Sequence, residues 1–414
     1  MMRIRKKYLF YTIAFTSAFF AALTTSIDSY VNKNYIPDPY AFSFSLFFIG
    51  LFVTFIVSLA LSIQHRGKSI GSKLIDPSFK HLRFLNKNEL KYHIIAGLTN
   101  AVNTIAYCAL ISIVLEPSVL LSFSQMVILY LLLIESITEK NVPTLAEIQS
   151  SVIVTFGAIL ASISLKGEIE PVSLALVFLV INPTWAIFSI YQRKLKMMKI
   201  HNKPNDGINI RFWNVLFSLL FTGMILAILD IITGSEYIIN GLKASIEHYS
   251  YLGLTMFTTF FAYVLYIRSL GLGKASINNA IRASTIIFAI PFSIILYTYF
   301  NIPLFSTDPV MLTIKTIGMI LIVLGIISFA LTQVKAYIFI TLKPGFTRKD
   351  IMKRLWDIPG VSHVTATAGT YDFIVKVSTR TLVKGYERIL RRIDDIEAIE
   401  SYKWNSVLKD WERI

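Results

Sequence analysis

Residues 42–63 read FSFSLFFIGLFVTFIVSLALSI, a stretch without a charged side chain. An α-helix needs about 20 mostly apolar residues to cross the hydrocarbon core of a bilayer, so this stretch predicts a membrane-spanning helix. Runs of the same character recur along the chain. They predict ten spans, namely Tyr8–Thr25, Phe42–Ile63, Ile94–Val114, Ser118–Ile137, Glu147–Leu165, Val172–Tyr191, Phe212–Ile232, Leu252–Gly271, Ala275–Tyr297 and Met311–Thr332.

The composition excludes an ordinary soluble enzyme. Of 414 residues, 54% are hydrophobic and 16% charged, and the mean hydropathy is +0.61. Soluble proteins carry about 25% charged residues. Cys108 is the single cysteine, the six histidines are scattered, and no glycine-rich phosphate loop occurs. We therefore expect no enzymatic activity, no metal, no cofactor and no direct use of ATP.

Positive charge sets the expected orientation of the spans. The connection over 64–91 carries seven Lys and Arg residues and that over 192–211 carries six. The connections on the opposite side carry only Lys33, Lys166 and Lys243. Basic residues accumulate on the cytoplasmic side, so we expect a multi-pass protein of the cell membrane with its N-terminus in the cytoplasm. Ten spans would return residues after 334 to the cytoplasm as well.

Two short turns between helices indicate an internal repeat. The first follows Tyr107 and contains Glu116-Pro117-Ser118, and the second follows Tyr266 and contains Lys274-Ala275-Ser276. With the predicted orientation the two turns face opposite sides of the membrane, as an inverted repeat of five plus five helices requires. Chance similarity is the alternative, because these residue types are common in membrane helices.

Residues 89–165 resemble an EamA-type repeat of the drug/metabolite transporter superfamily. The resemblance lies at Gly97-Leu-Thr-Asn100, Tyr107-Cys-Ala-Leu110, Glu116-Pro-Ser and Glu135-Ser-Ile-Thr, and a second repeat is similar at Trp185-Ala186, Tyr251-Leu-Gly253 and Pro291. The second repeat reads Phe300-Asn301-Ile302-Pro303 where the family usually has a glutamate. The resemblance implies a transporter domain over 1–334, with repeats at about 8–165 and 172–334 and alternating access through a central cavity.

Polar side chains within spans are costly, so they are the candidates for a substrate site. Arg282 follows Asn278 and Asn279, and a guanidinium with two amides could hold a substrate carboxylate. The alternative is that Arg282 reaches the lipid headgroups. The other candidate substrate-binding residues are Asn100, Asn103, Tyr107, Gln125 and Trp185. Bonding between helices is the alternative for the two asparagines and Gln125, and an ordinary buried or lipid-facing position is the alternative for Trp185. The proline of Asn182-Pro183 could form a gate, with a structural kink as the alternative.

The carboxylates near the spans are expected at their ends. Asp28, Glu116 and Asp230 fall at outer ends and Glu135 at an inner end, where such groups are usually interfacial or capping. No carboxylate falls near the middle of a predicted span. We therefore expect facilitated or exchange-driven transport, without strong coupling to protons.

Residues 335–414 hold 25 of the 65 charged residues, a density typical of a soluble domain. Their pattern predicts, in order, strand Ala336–Leu342, helix Thr347–Trp356, strands Val361–Ala368 and Phe373–Val377, helix Leu382–Ile396 and strand Ile399–Val407. The order βαββαβ predicts a ferredoxin-like domain.

This segment resembles the effector-binding domain of the Lrp/AsnC transcription regulators at Pro344-Gly345, Ile358-Pro359-Gly360-Val361 and Ala368-Gly369-Thr-Tyr371-Asp372-Phe373. The resemblance implies a homodimer through the sheet and an effector pocket, for amino acids or related metabolites, to which Gly369, Tyr371 and Asp372 contribute. A plain hairpin is the alternative, with glycine for a positive φ angle and aspartate for a turn. We expect no nucleic acid partner, because nothing resembles the DNA-binding half of those regulators.

Together these features predict a ten-helix membrane transporter, an exporter or exchanger, whose cytoplasmic domain senses a small metabolite. Small polar metabolites such as amino acids are the expected substrates, and the lipid bilayer and a second copy of the chain are the expected partners. The alternative is a membrane-anchored sensor or scaffold that transports nothing.

Overall fold

The computed structural model describes residues 6–113, 124–138, 145–162, 175–200, 203–273, 275–300, 309–331, 334–379 and 389–406. The chain divides into two units. The larger, which we call the helical body, comprises Lys6–Leu133 and Ile153–Val323. The smaller, which we call the tail unit, includes Ile134–Val152 and Leu324–Ile414.

Most of the described residues up to 331 are helical. In order they are α1 (Lys6–Asn34), α2 (Pro39–Ser62), α3 (Ile70–Leu74), α4 (Lys87–Ile113), α5 (Val127–Thr138), α6 (Leu145–Ser162), α7 (Asn182–Met197), α8 (Gly207–Thr233), α9 (Tyr237–Glu247), α10 (Tyr249–Leu270), α11 (Ala275–Arg282), α12 (Thr285–Phe300) and α13 (Pro309–Leu331). Two small hairpins join β1 (Gln64–His65) to β2 (Lys68–Ser69) and β3 (Lys199–Ile200) to β4 (Lys203–Pro204).

Six helical stretches among the described residues are long and apolar enough to cross a membrane. They are Leu9–Asn34, Pro39–Ser62, Lys87–Ile113, Gly207–Thr233, Tyr249–Leu270 and Ala275–Phe300. Shorter apolar stretches cover Ile148–Gly157 and Thr316–Ser328. Each of the ten predicted spans overlaps a helical segment, and these helices are compatible with a membrane protein. The turn at Glu116-Pro117-Ser118 and Lys274 lie outside the described residues.

Local sequence explains where two of the long helices begin and end. Asp38 caps α2, because its carboxylate accepts a hydrogen bond from the Tyr40 N–H at 2.9 Å, and Pro39 occupies the first helical position. Asp206 caps α8 in the same way through the Asn209 N–H at 2.8 Å. Helix α8 ends at Gly234, whose φ of 69° is the left-handed conformation that glycine adopts without strain.

The predicted irregularity at Pro183 is a π-helical turn. Residues Leu176–Ile181 form a π-helix that continues into α7. Proline has no N–H to donate to the preceding turn. The Phe178 carbonyl of this turn accepts a hydrogen bond from the Tyr130 hydroxyl at 2.8 Å. The Val177 carbonyl accepts both the backbone N–H of Asn182 and, at 2.9 Å, its side-chain Nδ2. Donors from side chains thus compensate for the disturbed helix.

Helix α9 was not predicted. It follows α8 directly, and the Asp230 carboxylate accepts a hydrogen bond from the Tyr237 N–H at 2.8 Å, which caps its start. The Ser45 hydroxyl donates to the Gly241 carbonyl at 2.8 Å, so α9 packs closely against α2. Its eleven residues are too few to cross a membrane, so the apolar runs in the sequence did not predict it.

The tail unit contains a four-stranded antiparallel sheet. Its strands are β5 (Val334–Leu342), β6 (Val361–Ala366), β7 (Phe373–Thr379) and β8 (Ile399–Ser406), in the spatial order β6-β7-β5-β8. Helix α14 (Arg348–Trp356) connects β5 to β6, and residues 389–394 are helical before β8. The four-stranded sheet domain is therefore confirmed. The first part of the predicted helix Leu382–Ile396 lies outside the described residues.

Alternating side chains of the sheet form the core of this domain. Ile338 and Ile340 in β5 are fully buried, and in the ladder they lie beside Val375 and Phe373 of β7. Leu355 from α14 joins the same core. The period-two pattern that predicted the strands is thus the pattern of residues that face the helices.

Candidate functional site

The helical body encloses a cavity of about 150 Å³. Helices α1, α2, α4, α7, α8, α10 and α11 contribute side chains to its wall. Helices that cross one another around a shared interior leave such spaces in bundles, and a few polar groups within an otherwise apolar wall are typical of ligand sites.

Seven of the eight predicted substrate-binding residues line this cavity. They are Asn100, Asn103, Tyr107, Gln125, Trp185, Asn279 and Arg282. The eighth, Asn278, is buried outside the wall and accepts a hydrogen bond from the Ser269 hydroxyl at 2.8 Å. Asn278 and Asn279 are adjacent and point in different directions from α11, so only one of them reaches the cavity.

Arg282 lies against a platform of aromatic rings. Its guanidinium carbon is 4.6 Å from the ring centre of Trp185 and 4.9 Å from that of Tyr266. Cation–π attraction holds the guanidinium against these rings. Its Nη1 atom is buried and forms no hydrogen bond within the described part of the chain. Arg282 therefore faces the cavity and is not extended toward headgroups.

Asn279 fixes the platform. Its side-chain oxygen accepts from Trp185 Nε1 at 3.1 Å, and its Nδ2 donates to the Tyr266 hydroxyl at 3.0 Å. The Tyr266 hydroxyl donates in turn to Ser189 at 2.6 Å. Each ring is thus held in one orientation by hydrogen bonds, which positions the surface that Arg282 contacts.

The amides of α4 bond neighbouring helices while they line the cavity. Asn100 donates to the Ser218 hydroxyl in α8 at 2.8 Å. Asn103 donates to the Ile181 carbonyl at 2.8 Å and to Thr184 at 3.1 Å. Each of these residues therefore joins helices and also lines the cavity, while their binding of a substrate stays a prediction. Gln125, in the 3₁₀ turn before α5, is 4% exposed and also lines the cavity.

Asp28 is a cavity residue that the sequence analysis placed wrongly. It was expected at the outer end of the first span as an interfacial carboxylate, but α1 continues to Asn34, and Asp28 is 3% exposed and lines the cavity. The Tyr107 hydroxyl donates to it at 3.0 Å. The body therefore does hold a buried carboxylate, and the reason for expecting transport without proton coupling falls away.

Arg211 is a second cavity residue that was missed. It was counted among the basic residues of the 192–211 connection, but it lies in the first turns of α8, 1% exposed, with its guanidinium carbon 4.1 Å from the ring centre of Tyr263. Its Nε and Nη1 atoms form no hydrogen bond to any described residue. Polar residues at helical spacing could have indicated both: Thr24, Thr25 and Asp28 on α1, and Arg211, Asn214 and Ser218 on α8.

At one end of the helical body, a polar network joins the two most basic connections. Asp76 accepts from Lys196 Nζ at 2.5 Å and from the Gly207 N–H at 2.9 Å. Lys196 also donates to the Asn205 carbonyl at 2.6 Å. Arg83 forms a two-point ion pair with Glu89, at 2.7 and 2.8 Å. The connections over 64–91 and 192–211 therefore lie at the same end of the helical body.

The predicted effector residues lie together on the tail domain. The Asp372 carboxylate accepts from the Leu342 N–H at 2.9 Å and pairs with Arg348 at 2.8 Å. The ring of Tyr371 is 5.1 Å from that of Phe339. Gly369 is exposed and its φ is not in the left-handed region, so the alternative that it serves a positive φ angle is wrong.

Comparison with known proteins identifies the tail domain alone. Residues 335–413 match the family model of the Lrp/AsnC ligand binding domain. The resemblance of the helical part to drug/metabolite transporters has no family match to support it, and no curated protein matches the chain significantly. One solved structure, described as a crystal structure of a protein, is similar to this chain with a TM-score of 0.47 and 13% sequence identity. The alignment covers 78% of this chain and 96% of the chain in that structure. The C-terminal segment is thus an Lrp/AsnC ligand-binding domain.

Proposed function

We propose that this chain is a membrane transporter for small polar metabolites, with amino acids as the first candidates, and that its Lrp/AsnC domain senses a metabolite and regulates transport. The proposal includes ten spans arranged as an inverted repeat, with the N-terminus and the tail domain in the cytoplasm. Its main support is the cavity, in which Asp28, Arg211 and Arg282 are gathered among helices of membrane-spanning length.

The cavity favours transport over the alternative of a membrane anchor. Charged side chains in a bilayer are costly, and where they occur they usually face a cavity or a substrate pathway. An anchor has no need of them, and its polar residues would be expected at helix ends or between helices. The gathering of charged and amide groups around one interior space is what a transported polar solute requires.

The tail domain supports the regulatory part of the proposal. Residues 335–413 match a ligand-binding domain of regulators. The simplest hypothesis is that the sensed ligand and the transported substrate are identical or metabolically related. A homodimer through the sheet of the tail domain is part of the proposal, because this is how the resembled domain assembles.

The proposal is tested by flux through reconstituted protein. Proteoliposomes that contain the full chain are loaded with individual radiolabelled amino acids, and efflux is measured across a range of added ligand concentrations. The same measurement is made on a chain that lacks residues 335–414. We expect flux from both proteins, and ligand-dependent flux from the full chain only.

Two results would contradict this. Equal flux from both proteins at every ligand concentration removes the regulatory role. A full chain that binds an amino acid through its tail domain but moves none of the twenty supports the anchored sensor.

A further inference from the structure

We propose that the cavity selects an acidic amino acid, a molecule with two carboxylates and one ammonium group. In this assignment Arg211 and Arg282 each bind one carboxylate, and Asp28 binds the ammonium. The inference rests on the proposed function, since it takes the cavity to be the substrate site, and it adds the chemical class of the substrate.

The first argument is the charge of the wall. Among the described residues that line the cavity, the charged ones are Asp28, Arg211 and Arg282. None of the three forms an ion pair with another described residue. Asp28 and Arg211 are almost completely buried. A buried charge is strongly unfavourable unless it is paired, so each of these groups calls for a partner of opposite charge.

The second argument is the set of atoms left without hydrogen bonds. Nε and Nη1 of Arg211, Nη1 of Arg282 and Oδ1 of Asp28 are buried and have no hydrogen-bond partner within the described part of the chain. Buried donors and acceptors are nearly always satisfied in native proteins. Three open donors on two guanidinium groups and one open acceptor on a carboxylate match two carboxylates and one ammonium group.

The third argument is the way the guanidinium groups are held. The rings of Trp185 and Tyr266 lie beside the guanidinium of Arg282, and the ring of Tyr263 lies beside that of Arg211. These ring contacts hold each guanidinium in place, while the N–H groups named above have no described hydrogen-bond partner. A planar edge with parallel N–H groups is the arrangement that binds a carboxylate through two hydrogen bonds.

The balance of charge selects among small molecules. Two guanidinium groups and one carboxylate give the wall a charge of +1. A neutral amino acid has one carboxylate and leaves one guanidinium unpaired. A dicarboxylate without an amine leaves Asp28 unpaired beside it. An acidic amino acid satisfies all three groups and brings the total to zero.

The test uses the purified full chain in detergent and isothermal titration calorimetry. Three ligands of similar size differ by one group: L-glutamate, L-glutamine without the second carboxylate, and glutarate without the ammonium. We expect glutamate to bind at least about tenfold more tightly than either of the others, because loss of one partner of a buried charge pair costs that much or more. Equal affinity for glutamate and glutamine overturns the proposal.

Variants assign the binding to the cavity rather than to the tail domain. Arg211→Gln and Arg282→Gln are each expected to weaken glutamate binding about tenfold or more. The variant at the arginine that binds the side-chain carboxylate should leave glutamine binding within about threefold, and the other variant should weaken glutamine binding as well. Asp28→Asn is expected to shift the preference from glutamate toward glutarate, a change that misfolding cannot produce. Arg66→Gln, at an exposed position away from the cavity, is the matched control and should bind as the wild type does. Glutamate binding that survives unchanged in all three cavity variants overturns the proposal.

Flux measurements separate this inference from the proposed function. Cavity-dependent glutamate binding without glutamate flux supports the ligand class and contradicts the role in transport. Flux of neutral amino acids at rates equal to or above that of glutamate supports transport and contradicts the ligand class.

Discussion

At the scale of single residues, the ion pair of Asp76 and Lys196 carries a testable pH dependence. The two side chains are 2% and 7% exposed. Burial by itself would raise the pKa of the Asp76 carboxyl, but the Lys196 ammonium and the N–H groups of Gly207 and Ser78 hold that pKa below its usual value. A carboxyl of this kind stabilises the fold above its unfolded-state pKa, and the contribution is lost as the pH falls through the lowered folded-state value.

We expect Asp76→Asn to destabilise the protein by about 3–5 kcal/mol at neutral pH, because it leaves a buried ammonium without its counter-charge. Thermal unfolding of the full chain in detergent, followed from pH 7 downward, measures this. The difference between wild type and variant should begin to shrink below about pH 4, the unfolded-state pKa of an aspartate, and disappear at lower pH, where the carboxyl of the folded wild type is also protonated.

A second ion pair provides the control for this prediction. Arg348 is 59% exposed in its pair with Asp372, so Arg348→Gln should cost less than about 1 kcal/mol. Equal losses of stability in Asp76→Asn and Arg348→Gln would contradict the larger contribution of the buried pair. A stability difference between Asp76→Asn and the wild type that stays unchanged into acid would contradict the proposed titration of Asp76.

The residue scale also shows why the candidate site was predicted only in part. Polar residues well inside a span, such as Asn100 and Arg282, can be recognised in the sequence as candidate site residues, because a polar side chain in the membrane interior is costly. Asp28 and Arg211 lie nearer the ends of their helices, where a charge is ordinarily interfacial. Their burial depends on which neighbouring helices cover them, and sequence spacing along one helix does not contain that information.

At the scale of secondary-structure elements, α4 and α8 meet at Gly97. A Cβ at this position would lie 2.4 Å from the Cβ of Phe217 and 3.1 Å from its carbonyl carbon. Neither atom belongs to the flexible end of a side chain, so one helix would have to move. We expect Gly97→Ala to destabilise the protein by about 1–3 kcal/mol, the usual range for overpacking, although alanine favours helix more than glycine does.

Gly253 in α10 is the matched control for this substitution. No described atom lies within 4 Å of the position that its Cβ would take. Gly253→Ala should therefore be neutral or stabilise the protein by up to about 1 kcal/mol through helix propensity. The melting temperatures of both variants in detergent decide the matter, and a similar decrease in both would contradict the close approach at Gly97.

Most helices and strands could be predicted from the sequence because each has a strong periodic or apolar signal. The strands of the tail domain alternate at period two, and the apolar runs mark the long helices. Helix α9 was not predicted because it is short. The extension of α1 from Thr25 to Asn34 was not predicted because polar residues there interrupt the apolar run. Both are stabilised by packing against neighbours, which local propensity does not register.

At the scale of the whole molecule, the arrangement of basic and aromatic residues bears on membrane orientation. The basic connections over 64–91 and 192–211 meet through Asp76 and Lys196. Tyr35 and Tyr251, from two connections predicted to face outward, stack with ring centres 4.5 Å apart. Basic residues typically mark the cytoplasmic side, and aromatic residues gather at membrane interfaces. The grouping of the basic connections supports the proposed orientation, whereas the tyrosine pair is compatible with a membrane interface on either side.

Cysteine labelling of intact cells tests this orientation, because Cys108 is the single cysteine and Cys108→Ala removes it. In that background, Lys243→Cys and Lys68→Cys place thiols at exposed positions of opposite predicted sides. A membrane-impermeant maleimide should label Lys243→Cys directly and Lys68→Cys only after permeabilisation, while the parent without cysteine remains unlabelled. Labelling of both from outside, or the reverse pattern, would contradict the orientation. The basic residues of the 192–211 connection other than Lys196 and Arg211 would then require another explanation, such as binding to anionic groups on the outer face.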